Sequence, residues 1–129
     1  MKPLLSGLLA RNAATGGEIP TESAQAPAVD LWFHATEAAH LPAFLQLRRA
    51  LLAERPGLSC LVTTDGRVQQ PDGFNPFVMW HSFKSNKSAE YARFFEQYAP
   101  RLCLWAGGWL MPSLISEASK RNIPLFLID

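Results

Sequence analysis

The hydrophobic residues of this chain fall into short apolar runs that alternate with segments of helical periodicity. Five runs read as strands, and most of them are continuously apolar: residues 29–34, 59–64, 77–81, 102–105 and 124–128. Between them, apolar residues recur about every 3.6 positions and predict helices over residues 40–54, 88–99 and 110–118. Continuous apolar strands are typical of a parallel sheet covered on both faces. The sequence therefore predicts an α/β fold, a Rossmann-like three-layer domain with a mostly parallel five-stranded sheet.

The first 28 residues differ in composition from the rest. Four leucines within residues 4–9 lie at helical spacing, and residues 12–28 are rich in Ala, Gly, Thr, Ser and Pro without periodicity. We therefore predict an N-terminal helix and linker over residues 1–28, followed by the α/β domain over residues 29–129. The helix is expected either to pack on its own domain or to rest on a membrane surface.

The last βαβ unit covers residues 101–129 and ends at Asp129, after a strand that we expect to be buried. In open α/β sheets, ligands bind beyond the carboxyl ends of the strands. The chain therefore ends where a site would be completed, and we expect it to be part of a larger protein.

Composition narrows the possible functions. The formal net charge is +1 and the basic residues are dispersed, which argues against nucleic acid as a partner. No apolar run approaches the roughly 20 residues that span a bilayer. Cys60 and Cys103 lie in apolar runs, so we interpret them as buried free thiols rather than as a disulfide or a nucleophile. The three histidines lack partners at metal-ligand spacing, so no metal is expected.

The turn after the first strand is the best candidate for chemistry. Thr36, Glu37 and His40 lie where a strand ends and a helix begins. A carboxylate three residues before an imidazole could orient it as a general base. The alternative is an ordinary helix start, with an acidic residue stabilised by the helix dipole. His34, at the end of the strand, could line the same crevice or be a satisfied strand-end histidine.

A second candidate is Gly107–Gly108, directly after the fourth strand. Such a turn could present backbone N–H groups to an anion, or it could simply let the next helix pack close to the sheet. Trp80, Trp105 and Trp109 lie at or beyond strand ends. They could form an apolar floor for a sugar or lipid, or they could belong to the core.

Several separate blocks of the chain occur in an order that resembles a known family. These blocks are Trp-Phe-His-Ala at 32–35, Leu-Val-Thr-Thr at 61–64, Pro-Ser-Leu-Ile at 112–115 and Ile-Pro-Leu-Phe-Leu-Ile at 123–128. From about Gly16 to Asp129 the chain resembles the N-terminal domain of the 3-deoxy-D-manno-octulosonic acid (Kdo) transferases. The resemblance implies half of a GT-B glycosyltransferase, whose two Rossmann-like domains enclose a cleft.

The resemblance also implies a reaction and its partners. The C-terminal donor domain, absent from this chain, would hold CMP-Kdo, and this domain would receive a lipid A precursor for lipopolysaccharide core synthesis. The protein would lie peripherally at the cytoplasmic face of the bacterial inner membrane, without a cofactor. We expect the catalytic residues to be His40 and Glu37. We expect the acceptor-binding residues to be His34, Thr36, Gly107, Gly108 and Trp109.

The chain departs from the family at its acidic positions. The family pattern is Trp-x-His-x-x-x-x-Gly-Glu, with the Glu as general base, whereas here Ala39 and His40 occupy the last two places. Two later glutamates of the family correspond to Gly107 and Trp109. Either His40, helped by Glu37, replaces the base, or the domain is a non-catalytic relative that binds lipid or protein. A flavodoxin-like or receiver-type domain is a third possibility, although no acidic residue ends its third strand.

Overall fold

The computed structural model describes residues 28–108 and 110–128 of the chain. It has five strands: β1 (Leu31–Ala35), β2 (Cys60–Thr64), β3 (Met79–Ser82), β4 (Cys103–Ala106) and β5 (Leu125–Ile128). Three described helices alternate with them: α1 (His40–Glu54), α2 (Ser88–Tyr98) and α3 (Pro112–Lys120). The predicted N-terminal helix, and the linker as far as residue 27, lie outside the described residues.

All neighbouring strands of the sheet are parallel, in the order β3-β2-β1-β4-β5. The prediction of a Rossmann-like α/β domain is thereby confirmed. Each strand lies within one or two residues of its predicted position, because a run of apolar residues identifies a buried strand better than it identifies the strand's ends.

The two faces of the sheet carry separate hydrophobic clusters. Leu31 and Phe33 point to the side covered by α1, whereas Trp32 points to the side covered by α2 and α3. This alternation follows from the two-residue period of a strand. Because both faces of the central strands are covered, β1, β2 and β4 are buried at every position.

The last strand departs from the expectation of burial. Phe126 and Leu127 of β5 are 42% and 60% exposed. β5 lies at the edge of the sheet, where it pairs only with β4 among the described strands. An apolar run by itself cannot distinguish a central strand from an edge strand.

The start of α2 has no side-chain cap. Ser88 is the first helical residue, and Lys87 stands at the N-cap without a side-chain hydrogen bond. Glu90 stabilises the preceding loop instead, since its carboxylate accepts hydrogen bonds from the backbone N–H groups of Lys84 and Ser85, both at 2.8 Å. Burial raises the pKa of Glu90, but these hydrogen bonds outweigh it and hold that pKa below its usual range.

Ala99, which ends α2, has a left-handed backbone with φ 44° and ψ 55°. Glycine adopts this conformation without a steric cost, so Ala99→Gly should raise the free energy of unfolding by roughly 0.5–1 kcal/mol. Ala50→Gly, inside α1, is the matched control and should lower it by a similar amount. Urea unfolding followed by circular dichroism measures both changes, and equal signs for the two variants would contradict this account.

Candidate functional site

The sheet changes direction of winding between β1 and β4. The chain runs outward from β1 through β2 to β3, then returns to place β4 on the other side of β1. The segment after β1 enters α1 on one face, and the segment after β4 enters α3 on the opposite face. Such a switch point leaves a crevice at the carboxyl ends of the two strands.

Three of the predicted site residues meet at this switch point. Ala35 and Ala106 are register partners at the ends of β1 and β4, so the residues that follow them are neighbours. The Thr36 hydroxyl donates a hydrogen bond of 2.9 Å to the Ala106 carbonyl oxygen. A Cβ atom placed on Gly107 would lie 2.1 Å from Thr36 Oγ1 and 2.9 Å from His40 Cε1. Thr36, His40 and Gly107 are therefore packed together, although 71 residues of sequence separate the first from the last.

His40 is the first residue of α1, and its backbone N–H donates to the Glu37 carbonyl oxygen at 3.1 Å. Its side chain is half-buried. The ring nitrogen Nδ1 is shielded from solvent and has no hydrogen-bond partner. This nitrogen of the imidazole therefore takes part in no hydrogen bond within the described residues.

The expected carboxylate–imidazole pair is not formed between side chains. Glu37 is exposed on the turn between β1 and α1, and only its backbone carbonyl contacts His40 by a hydrogen bond. The pKa of Arg67 is raised mainly by its hydrogen bond to Asp65, and the charge of Glu37 adds only a smaller effect in the same direction. Residues three apart share a helix face only inside a helix, and Glu37 precedes the first turn.

His34 lies in the core rather than in the open crevice. Its side chain is fully buried and its ring stacks on Trp105, with the ring centroids 4.0 Å apart. Burial lowers the pKa of His34 to about 4, so the imidazole is neutral at physiological pH. The structure thus offers no exposed surface of His34 for the predicted contact with an acceptor.

Thr63 is the hydrogen-bond partner of His34, and the sequence did not single it out. The Trp32 indole N–H donates to Thr63 Oγ1 at 2.7 Å, and Thr63 Oγ1 lies 2.7 Å from His34 Nδ1. The direction of the second hydrogen bond depends on the tautomer of His34. The other ring nitrogen, Nε2, is buried without a partner among the described residues. The sequence signal was Trp32 and His34 on one face of a strand, but their shared partner depends on the register of β2.

A second unpredicted group follows β2. Arg67 Nε and Nη2 both donate to Asp65 Oδ2, at 2.9 and 2.5 Å. The hydrogen bond from the Arg67 side chain is the main cause that lowers the pKa of Asp65. A carboxylate held in this way is a weak proton acceptor, so Asp65 is a poor candidate for the missing base.

The two glycines after β4 differ in what surrounds them. Gly107 has φ 94°, and its N–H donates to the Ile128 carbonyl oxygen at 3.0 Å. This N–H is therefore not available to an anion, which favours the close-packing interpretation of the turn. A Cβ on Gly108 would meet nothing within 4 Å. Trp109, the remaining predicted acceptor contact, lies outside the described residues.

The other aromatic and thiol groups have core positions. Trp105 is fully buried, and Trp80 is half-buried against Phe74. Cys60 and Cys103 are both free and buried, and burial raises both pKa values, that of Cys60 to about 11. These thiols are therefore protonated and poorly nucleophilic. Within the described part of the chain, no three His, Cys, Asp or Glu side chains cluster closely enough to hold a metal ion.

A family model described as 3-deoxy-D-manno-octulosonic-acid transferase (kdotransferase) matches residues 10–129. The chain belongs to this family. No curated protein and no solved structure matches the chain. Kdo transferases act in lipopolysaccharide synthesis and in general use a sugar-nucleotide donor and a lipid acceptor, so a glycosyltransferase-like role follows for this chain. None of the helices in the described residues has the length and apolar character needed to cross a bilayer.

Replacing Gly107 should disturb the contact between the ends of β1 and β4. Gly107→Ala forces a positive φ on an L-residue and places Cβ against Thr36 Oγ1, so the free energy of unfolding should fall by roughly 2–4 kcal/mol. Gly108→Ala is the matched control and should change it by less than about 1 kcal/mol. Chemical denaturation measures both, and Thr36→Ala in the Gly107→Ala background should restore part of the loss. Equal effects of the two alanines would contradict the packing described.

Stability should fall in acid because of His34. Its folded pKa of about 4 lies below the unfolded value of 6.5, so the unfolded chain binds more protons between these values. The free energy of unfolding should therefore decrease as pH falls from about 6.5 to 4, by roughly 3 kcal/mol in total. His81, whose pKa is also lowered by burial, adds a loss of the same sign.

Denaturation curves between pH 4 and 8 test this dependence, and His34→Gln should make it shallower. NMR titration of the His34 ring gives its pKa directly. A ring that titrates near 6.5, or a variant with the same acid sensitivity as the original chain, would contradict the assignment.

Proposed function

We propose that residues 29–129 form the acceptor side of a Kdo transferase that moves Kdo from CMP-Kdo to a lipid A precursor in lipopolysaccharide core synthesis. The enzyme would have a GT-B architecture, with CMP-Kdo held mainly by a second domain and no cofactor required. The protein would act peripherally at the cytoplasmic face of the inner membrane, where the acceptor is presented. The family match over residues 10–129 supports this proposal.

The observation that carries the catalytic part is the position of His40. It stands at the switch point, against Thr36 and Gly107, where the Glu of the family pattern would stand. Its side chain is only half-buried, whereas the Asp65 carboxylate is engaged by Arg67. A neutral imidazole nitrogen can accept a proton, as a general base must.

In the proposed step, His40 accepts the proton of the acceptor hydroxyl. The hydroxyl oxygen forms a bond to the anomeric carbon of Kdo, and the bond between that carbon and the phosphate oxygen of CMP breaks. CMP leaves with the electron pair, and its charge would be stabilised by the donor domain. Thr36 and Gly107 would hold the imidazole in place, and Glu37 would contribute only its charge at the rim.

His40→Ala in the complete transferase should lower kcat by 10²–10⁴-fold, since general base catalysis contributes about that much. Glu37→Gln should cost less than about tenfold, because its carboxylate makes no hydrogen bond to His40. Arg49→Gln, on the exposed side of α1, is the control and should leave transfer unchanged. The readout is Kdo transfer from CMP-Kdo to the lipid A precursor, followed by mass spectrometry. A His40→Ala enzyme with the original rate would overturn the base assignment.

The substitution of His for the family's Glu also favours a second candidate, a non-catalytic relative that binds lipid or protein. This alternative expects no transfer by the unsubstituted protein, together with binding of the lipid A precursor that survives His40→Ala. Transfer that depends on His40 would exclude it.

A further inference from the structure

A groove of about 410 Å³ opens beside the edge of the sheet, between the carboxyl end of β3 and helix α2. His81 and Ser82 line it from the strand, Lys84 from the following loop, and Glu90, Arg93 and Gln97 from one face of the helix. Its volume lies within the range of about 300–1,000 Å³ that small-molecule sites occupy. We call it the α2 groove.

Two cations and one carboxylate set the charge of the α2 groove. Lys84 and Arg93 are exposed, and neither belongs to the ion pairs found among the described residues. The Glu90 carboxylate accepts three hydrogen bonds of 2.8 Å, from Lys84 N, Ser85 N and Ser85 Oγ, which hold the loop but leave its charge in place. The groove therefore keeps a net positive charge that would attract an anionic ligand.

His81 provides an independent observation. Its Nε2 is shielded from solvent and has no hydrogen-bond partner. The ring is held among Phe83, Phe94 and Tyr98, with centroid separations of 5.0, 5.2 and 5.6 Å. A polar nitrogen buried in this way loses its hydration without compensation. Because His81 also lines the α2 groove, an unsatisfied polar nitrogen lies in the wall of this groove.

The groove begins at the same edge of the sheet as the switch point, the edge formed by the carboxyl ends of the strands. Ser82 and Thr64 are register partners, and β2 in turn pairs with β1, which ends at Ala35. Neighbouring strands are about 4.8 Å apart, so the ends of β3 and β1 are separated by about 10 Å. A molecule of two or three sugar units could contact both places.

We propose that the α2 groove is a subsite for an oxyanion, either phosphate or carboxylate, carried on the sugar that is presented to His40. This inference rests on the proposed function for the identity of the sugar, but not for the binding of the oxyanion. Lys84 and Arg93 would supply the charge, and Ser82 and Gln97 would add neutral hydrogen-bond donors. Arg in particular can contact an oxyanion with two parallel hydrogen bonds.

The test is an NMR titration of the ¹⁵N-labelled chain with inorganic phosphate and with glucuronate, which separate the two oxyanions, and with glucose as the neutral control. We expect phosphate, glucuronate or both to shift the amide signals of Ser82, Lys84 and Gln97, and glucose to leave them unchanged. Arg93→Gln and Lys84→Gln should each weaken the binding about tenfold. Arg49→Gln, which removes an exposed arginine from α1 on the opposite face, should not weaken it.

Equal affinity of the Arg93→Gln variant and the unsubstituted chain would overturn the proposal. So would shifts at Arg49 as large as those at the groove, since these would show nonspecific attraction to positive charge. Amide signals of α2 that stay dispersed in the variants establish that the helix remains folded, so that lost binding reports lost contacts.

Different experimental results would reject the proposed subsite and the proposed function. His40→Ala should abolish transfer without changing oxyanion affinity, because His40 lies two strands away. Arg93→Gln should raise KM for the acceptor with a smaller effect on kcat. Oxyanion binding without any transfer would reject the enzyme role and keep the subsite, whereas transfer without oxyanion binding would do the reverse.

Discussion

The contact between the ends of β1 and β4 is the constraint on which the site depends. These strands pair in the middle of the sheet, and the segments that follow them turn to opposite faces. The Thr36 hydroxyl closes the gap by its hydrogen bond to the Ala106 carbonyl, and Gly107 allows the approach because it has no side chain. The His40 ring then packs against a surface formed by backbone and one hydroxyl.

The titratable groups near the strand ends differ in their burial and in their interaction partners. His34 is buried, stacked and neutral, and the Asp65 carboxylate is paired with Arg67. His40 Nδ1 has no hydrogen-bond partner among the described residues.

The strands and helices could be predicted from the pattern of residues, because each of them leaves a periodic pattern in its own segment of the sequence. The apolar runs and the 3.6-residue periodicity indicated each described strand and helix, because burial of one face or of both faces leaves a period in the sequence. The prediction that β5 is buried was wrong, because the residues of a strand do not specify which strands will flank it in the sheet.

The sequence by itself determined the α/β class, the order of elements and the residues that follow each strand, since these depend on interactions between near neighbours. Only the tertiary structure decided which of those residues meet. Thr36 and Gly107 touch because β4 returns to the far side of β1, and Thr63 meets His34 because β2 pairs with β1 in one register. The physical reason is that strand order and register arise from the packing of the whole sheet, whereas a local pattern records only whether a side chain is buried.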